Sequence, residues 1–144
     1  MRKKLIQECQ GERTYALVFD KGDPIIEILI EFARQNDVGA AYFTGLGALR
    51  SVDLAYFDGR TMDYIEIPVH EQVEVVSFMG NIAKFQGDPK IHSHMVVARQ
   101  DGSTTGGHLV EGAVWPTLEL MVVATSEGLT RQQDEETGLA LLDI

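Results

Sequence analysis

The order of apolar and polar residues along this chain predicts many short β-strands. Apolar side chains recur at every second position or in short β-branched runs, which is typical of strands with at least one buried face. Turn residues such as Gly11, Asp58-Gly59 and Asp101-Gly102 separate these stretches and favour hairpins. The predicted strands are KLIQEC, TYALVFD, AAYFTGLGAL, SVDLAYFD, MDYIEIPV, VEVVSFMGNIAKF, IHSHMVVAR, GHLVEGAV and LELMVVAT.

One segment, residues 23–36, has the pattern of a helix instead. Asp23 is a favourable N-cap, and Pro24 follows at the first helical position, where a missing N–H costs little. Asn36 and Gly39 are stop signals. Between these ends, apolar residues occupy helical spacing at Ile25, Ile28, Leu29 and Phe32.

A single helix among many strands predicts an α+β fold. We expect one domain over residues 1–144, with a mainly antiparallel, curled β-sheet and the helix of residues 23–36 packed on it. For the C-terminal segment 126–144 the pattern leaves two alternatives open, a last strand or a tail docked on a neighbour.

The chain is acidic, with 22 Asp and Glu against 12 Lys and Arg and a formal net charge of −10. Such a surface repels phosphate backbones, so direct DNA binding is not expected. The single cysteine excludes an intramolecular disulfide and fits a reducing compartment. No apolar run approaches the roughly 20 residues that span a bilayer, and the N-terminus lacks the apolar core of a signal peptide. The sequence therefore predicts a cytoplasmic protein with no membrane partner.

Three of the four histidines, His92, His94 and His108, fall close together in the sequence. On a strand, His92 and His94 share a face, with Cα atoms roughly 6.5–7 Å apart. The glycine-rich loop DGSTTGG then returns the chain, so that His108 lies on an antiparallel strand beside them. Three converging imidazoles suit zinc or another divalent transition metal, provided that their ring nitrogens come within about 4 Å of one another. The alternative is a set of ordinary surface histidines.

Other candidate motifs are weaker. TGLGAL (44–49) lacks the third glycine of a dinucleotide fingerprint, and no helix follows it. We therefore interpret Gly45 and Gly47 as allowing a bend or a close approach between strands. Glu74 and Glu111 are available as general bases, but acidic side chains on strands are usually solvated, and no residue is predicted to be catalytic.

The successive motifs TGLGAL, VEVVSFMGNI, GDPKIHSHMVV, GGHLVEG and LELMVV resemble the PPC family, the plants-and-prokaryotes-conserved domain that plants attach to AT-hook DNA-binding segments. The resemblance extends over nearly the whole chain, as far as Thr125. Plant members carry a GRFEIL-like segment, of which this chain keeps Glu74, followed by Ser77 and Gly80. Glu71-Gln72 replaces the glycine and arginine of that segment.

The resemblance implies a homotrimer. It also implies that His92, His94 and His108 form a cluster, at which some prokaryotic members of the family look like zinc binders. AT-hooks insert the arginines of an R-G-R-P core into the minor groove, and this chain has no such core. The DNA binding of the plant proteins is therefore not expected here.

The sequence leaves three functions open. The first is a stand-alone, homotrimeric regulatory or interaction module with a three-histidine metal site, binding itself and either another protein or a small ligand. The second is a metal-dependent enzyme or small-molecule-binding protein that uses the open metal position. Its H-x-H pattern is similar to that of cupins, but Ala98 stands where cupins have a glutamate. The third, a DNA-binding protein, is suggested by the family and opposed by the charge.

Overall fold

The computed structural model describes all 144 residues, and strands make up most of them. Nine strands and one helix follow one another along the chain. Their bounds are β1 Arg2–Cys9, β2 Glu12–Phe19, α1 Ile25–Gln35, β3 Ala40–Asp58, β4 Asp63–Val69, β5 Val73–Phe85, β6 Asp88–Ala98, β7 Thr104–Ala124, β8 Thr130–Gln133 and β9 Ala140–Asp143.

Four of the strands, β3, β5, β6 and β7, form a closed ring of pairings. Both β3 and β6 pair with β5 and with β7, always antiparallel, so the curled sheet closes into a small barrel. Strand β2 pairs with β7 and carries β1 as a hairpin, and β4 folds back on β3. The only parallel pairing joins Lys84 of β5 to Thr130 of β8. The predicted mainly antiparallel sheet is thus confirmed.

Helix α1 packs on the barrel through its apolar side. Leu29 and Phe32 are almost fully buried in the main core, together with strand residues such as Phe78. The ring of Phe32 meets that of Tyr15 edge-on, with centroids 5.2 Å apart. Burying each such side chain stabilises the fold by about 1.5–3 kcal/mol. The predicted helix is confirmed, although it is short, with 11 residues. The structure contains no helix with the length and apolar character needed to cross a bilayer.

The start of α1 differs from the prediction. Pro24 is the N-cap, with an extended backbone and no side-chain cap of its own. The carboxylate of Asp23 lies 3.0 Å from the N-terminal ammonium of Met1 instead. The Ile26 N–H in the first turn donates to Oε1 of Glu111 on β7, 3.0 Å away. A tertiary contact therefore satisfies the helix end that the sequence assigned to a local cap.

Two pairs of predicted strands are single long strands. AAYFTGLGAL and SVDLAYFD both lie in β3. GHLVEGAV and all but the last residue of LELMVVAT lie in β7. The two long strands approach closely at Gly47, where a Cβ would lie 2.3 Å from the carbonyl oxygen of Thr117. The β3–β7 register shifts between Gly47 and Leu49, and Pro116 falls in this irregular stretch, where a proline is tolerated. Neither the glycine nor the proline ends its strand.

The C-terminal segment, left open by the sequence, forms a hairpin of β8 and β9. It attaches to the end of β5, beyond the residues that pair with β3, where the Lys84 N–H donates to the Leu129 carbonyl at 2.8 Å. Arg131 lies in the first strand of this hairpin and is buried, with 8% of its surface exposed.

Candidate metal centre

The three histidines lie on the outer surface of the barrel. Along β6 the side chains alternate, so that His92 and His94 face outward while Ser93 between them is buried. On β7, His108 is half-buried and lies directly opposite His94 in the β6–β7 register. The pairing of two antiparallel strands therefore brings together residues that are 14 positions apart, His94 and His108.

The imidazole rings form a nearly equilateral triangle. Centroid distances are 5.3 Å for His92 and His94, 5.5 Å for His92 and His108, and 5.6 Å for His94 and His108. The Nε2 atoms of His92 and His94 are 3.3 Å apart, and one nitrogen from each residue lies within 4.8 Å of the others. Tetrahedral ligands of zinc are about 3.4 Å apart. Small rotations of the side chains would therefore close the triangle around an ion.

The surroundings of the cluster favour the neutral form of two of its imidazoles, those of His92 and His108. Burial, followed by the charges of His92, His94 and Lys90, lowers the pKa of His108 to about 4. Partial desolvation of its ring within the cluster, followed by the charges of Arg131 and His94, also lowers the pKa of His92 below its usual value. Metals bind the neutral imidazole, so at neutral pH these two residues are ready to act as ligands.

Two further observations fit a metal at this position. The Nδ1 atom of His108 is buried and has no hydrogen-bond partner, which is unusual for a buried polar atom. The ring of Tyr64 on β4 packs against the His108 ring at 5.1 Å and so restricts its orientation. A donor set of three imidazoles suits zinc, copper or nickel, and it leaves one tetrahedral position open.

Three neighbours of the cluster were not predicted from the sequence. Tyr64 reaches His108 because β4 folds back on β3, and Asn81 lies opposite His92 in the β5–β6 register. The Oδ1 atom of Asn81 accepts a hydrogen bond from Nη2 of Arg131. Alternation in VEVVSFMGNI places Asn81 on an outward face, but the register with β6 has no signal in the sequence.

Similar solved structures come from archaea and bacteria. A plant- and prokaryote-conserved (PPC) protein from Pyrococcus horikoshii has a TM-score of 0.86 at 28% identity, with 92% of each chain covered. A metal-containing protein from Archaeoglobus fulgidus has a TM-score of 0.85 at 27% identity, with 99% of this chain and 97% of that one covered. A proposed DNA-binding protein from Ralstonia eutropha JMP134 has a TM-score of 0.84 at 27% identity, with 90% of each chain covered.

A longer curated protein also shares this sequence. The bifunctional protein GlmU of Synechococcus sp. (strain JA-3-3Ab) is 30% identical over 135 residues, a match that covers 92% of this chain. The chain spans 20% of the length of that GlmU. The match therefore concerns a minor part of the longer protein.

The model of the Plants and Prokaryotes Conserved (PCC) domain matches residues 6–126. This range includes α1, all four barrel strands and the three clustered histidines. It ends before the hairpin of β8 and β9. The resemblance identified from the sequence motifs is thereby confirmed, and this chain belongs to the Plants and Prokaryotes Conserved domain family.

Proposed function

We propose that this chain is a homotrimeric regulatory or interaction module that holds one divalent transition metal, with zinc the best fit, on His92, His94 and His108. The observation that carries the proposal is the triangle of three imidazoles, with centroids 5.3 to 5.6 Å apart, on two paired strands. Strands of a closed barrel hold ligands more rigidly than loops do. The similar Archaeoglobus fulgidus protein, described as metal-containing, supports the same proposal.

An exposed apolar surface supports the homotrimer. Neighbouring strands β7, β3, β5 and β6 carry large apolar side chains that point outward, with 37% to 64% of their surface exposed. Apolar patches of this kind mark interaction surfaces. We call this surface the outer apolar face, and it consists of Tyr42, Leu46, Val76, Met79, Val96 and Met121. The face borders the histidines, because Met79 lies opposite His94 in the β5–β6 register.

Elemental analysis of the chain, purified without a metal-affinity tag, tests the metal centre. We expect close to one equivalent of a transition metal per chain, with zinc in excess over copper and nickel. A chelator-treated sample should take up one equivalent of added zinc and no second one. Protein that contains no transition metal and takes up none would contradict the proposal.

A second candidate function uses the open coordination position. His92 and His94 are exposed, so a ligand from solvent reaches a metal held between them. On this alternative the chain binds a small molecule, or acts on it as a metal-dependent enzyme. His92, His94 and His108 would hold the metal, which would supply Lewis-acid polarisation of an oxygen of that molecule.

For DNA, the expected result is no specific binding to a duplex at physiological salt. The similar Ralstonia eutropha protein is a proposed DNA-binding protein, but this chain has a net charge of −10 and no R-G-R-P core. Phosphate contacts supply most non-specific affinity for DNA, and an acidic surface opposes them. Fluorescence anisotropy with labelled duplexes at several salt concentrations measures this. Sub-micromolar binding that weakens with salt would contradict the expectation.

A further inference from the structure

Arg131 is a buried cation with no counter-ion. None of the ion pairs in the structure includes it, although the chain has 22 acidic residues. Of its five N–H groups, Nη1 donates to the Ala140 carbonyl at 2.8 Å and Nη2 donates to Oδ1 of Asn81. The Nε–H is buried and has no acceptor. Burying a charge without a partner costs free energy, so an anion at this position would stabilise the protein.

Asn81 connects Arg131 to the histidine cluster. Asn81, which accepts its hydrogen bond, is directly opposite His92 in the β5–β6 register. Side chains opposite one another on adjacent strands have Cβ atoms about 4.5–5.5 Å apart. The guanidinium is therefore held beside the face on which His92 and His94 lie.

The charged side chains that lower the pKa values of His92 and His108 are all positive, although the chain as a whole is acidic. The outward-facing residue before the histidine pair on β6 is Lys90. Its positive charge contributes to the lowered pKa of His108, and that of Arg131 contributes to the lowered pKa of His92. No carboxylate is among the groups that perturb His92 or His108. A divalent ion would add two more positive charges, and an anion in the open position would balance them.

We propose that Arg131 is an anion-recognition residue of the three-histidine site, and that the ligand filling the open metal position carries a small oxyanion, a carboxylate or a phosphate. One oxygen of the group binds the metal, and the guanidinium of Arg131 attracts and orients the rest. This inference rests on the proposed metal centre. It also gives a role to the C-terminal hairpin, which lies beyond the residues matched by the family model.

Titration of the zinc-loaded chain with acetate, and separately with inorganic phosphate, tests the inference. Long-range ¹H–¹⁵N spectra of the histidine rings report both events, because zinc shifts the ring nitrogens and a bound anion shifts them again. In the wild type, we expect saturable anion-induced shifts. Tighter binding of acetate would assign the ligand to carboxylates, and tighter binding of phosphate would assign it to phosphates.

In Arg131→Gln we expect anion affinity to fall at least about tenfold, since a charge-assisted hydrogen bond is lost. Zinc affinity should stay equal or rise, because a positive charge beside the ion is removed. The matched control is Arg99→Gln, which removes an arginine paired with Glu71 at 2.9 Å and should leave anion affinity unchanged.

A second variant, Asn81→Asp, keeps the test informative if Arg131→Gln does not fold. Asn81→Asp keeps the hydrogen-bond acceptor of Arg131 but adds a carboxylate that neutralises it, so anion affinity should fall while the hairpin stays attached. Unchanged anion affinity in both variants, with zinc still bound, would overturn the inference and leave the metal centre standing. A wild type whose ring nitrogens do not respond to zinc would overturn both. A change of molecular mass in Arg131→Gln would assign Arg131 to a contact between copies and overturn the ligand role.

Discussion

Replacing His92 by alanine is expected to abolish stoichiometric zinc binding while the chain stays folded. The side chain is exposed, so its removal leaves no cavity in the core. It supplies one of three protein ligands. Loss of a residue that only hydrogen-bonds a metal ligand typically lowers metal affinity 10- to 100-fold, and loss of the ligand itself should lower zinc affinity by more than that. Competition with a chromophoric chelator measures the affinity, and circular dichroism with a thermal melt checks the fold.

His70→Ala is the matched control for this experiment. His70 is the only histidine outside the cluster, and it is exposed on the segment between β4 and β5. Its removal should leave zinc affinity unchanged. If His92→Ala bound zinc as tightly as the wild type, the three-histidine centre would be wrong.

The pH dependence of zinc binding should be shallower than that of three ordinary imidazoles. Three imidazoles with a pKa of about 6.5 would each release a proton on binding, so affinity would fall up to about 1,000-fold per pH unit in acid. The pKa of His108 is about 4, so this residue is already neutral above about pH 5. Between about pH 5 and 6, chelator competition should therefore show fewer than three protons exchanged per zinc bound.

The same pKa affects the stability of the metal-free fold. Unfolding restores the pKa of His108 from about 4 toward its usual value of 6.5. Between those values the unfolded state binds a proton that the folded state does not, so stability falls as the pH drops through this window. Above it, the residue has no effect on stability.

The wild-type chain is expected to elute at about 48 kDa, the mass of a trimer, against 15.9 kDa for one chain. In Met121→Lys the mass should fall to that of one chain, because assembly would bury an unpaired charge in the outer apolar face. Met121 is 43% exposed and lies opposite Ala16 and Thr44, so lysine is tolerated in the free chain. Light scattering coupled to size exclusion measures both masses.

Ile6→Lys provides the comparison for this substitution. Ile6 is also an exposed apolar residue, with 52% of its surface exposed, but it lies on β1, outside the outer apolar face. The variant should keep the mass of the wild type. A wild-type mass near 16 kDa would show that the homotrimer is wrong.

The sequence predicted the fold where local chemistry determines it. The strand VEVVSFMGNIAKF coincides with β5, because its alternation and its flanking turns are both encoded locally. GHLVEGAV and LELMVVAT were predicted as two strands but belong to one, β7, in which a bulge against β3 accommodates Pro116. The cap at Asp23 was wrong for a related reason: Glu111, far away in sequence, satisfies the helix end.

The candidate site was predicted only in part. His92, His94 and His108 are recognisable because an H-x-H pair and a returning strand are patterns within one short stretch. Arg131 and Asn81 are not recognisable in this way. Their meeting depends on the attachment of the C-terminal hairpin to β5 and on the β5–β6 register, and both are set by packing across the whole sheet.

The C-terminal hairpin of β8 and β9 is attached to the sheet by fewer residue pairs than the strands that carry the histidines. The histidines lie on strands paired along their length in a closed barrel, whereas β8 joins the sheet through a single residue pair, Lys84 and Thr130. Local unfolding begins where few backbone hydrogen bonds must break. Opening of the hairpin would carry Arg131 away and leave the three imidazoles in place. Exchange of an anion and retention of a metal would then proceed on separate timescales.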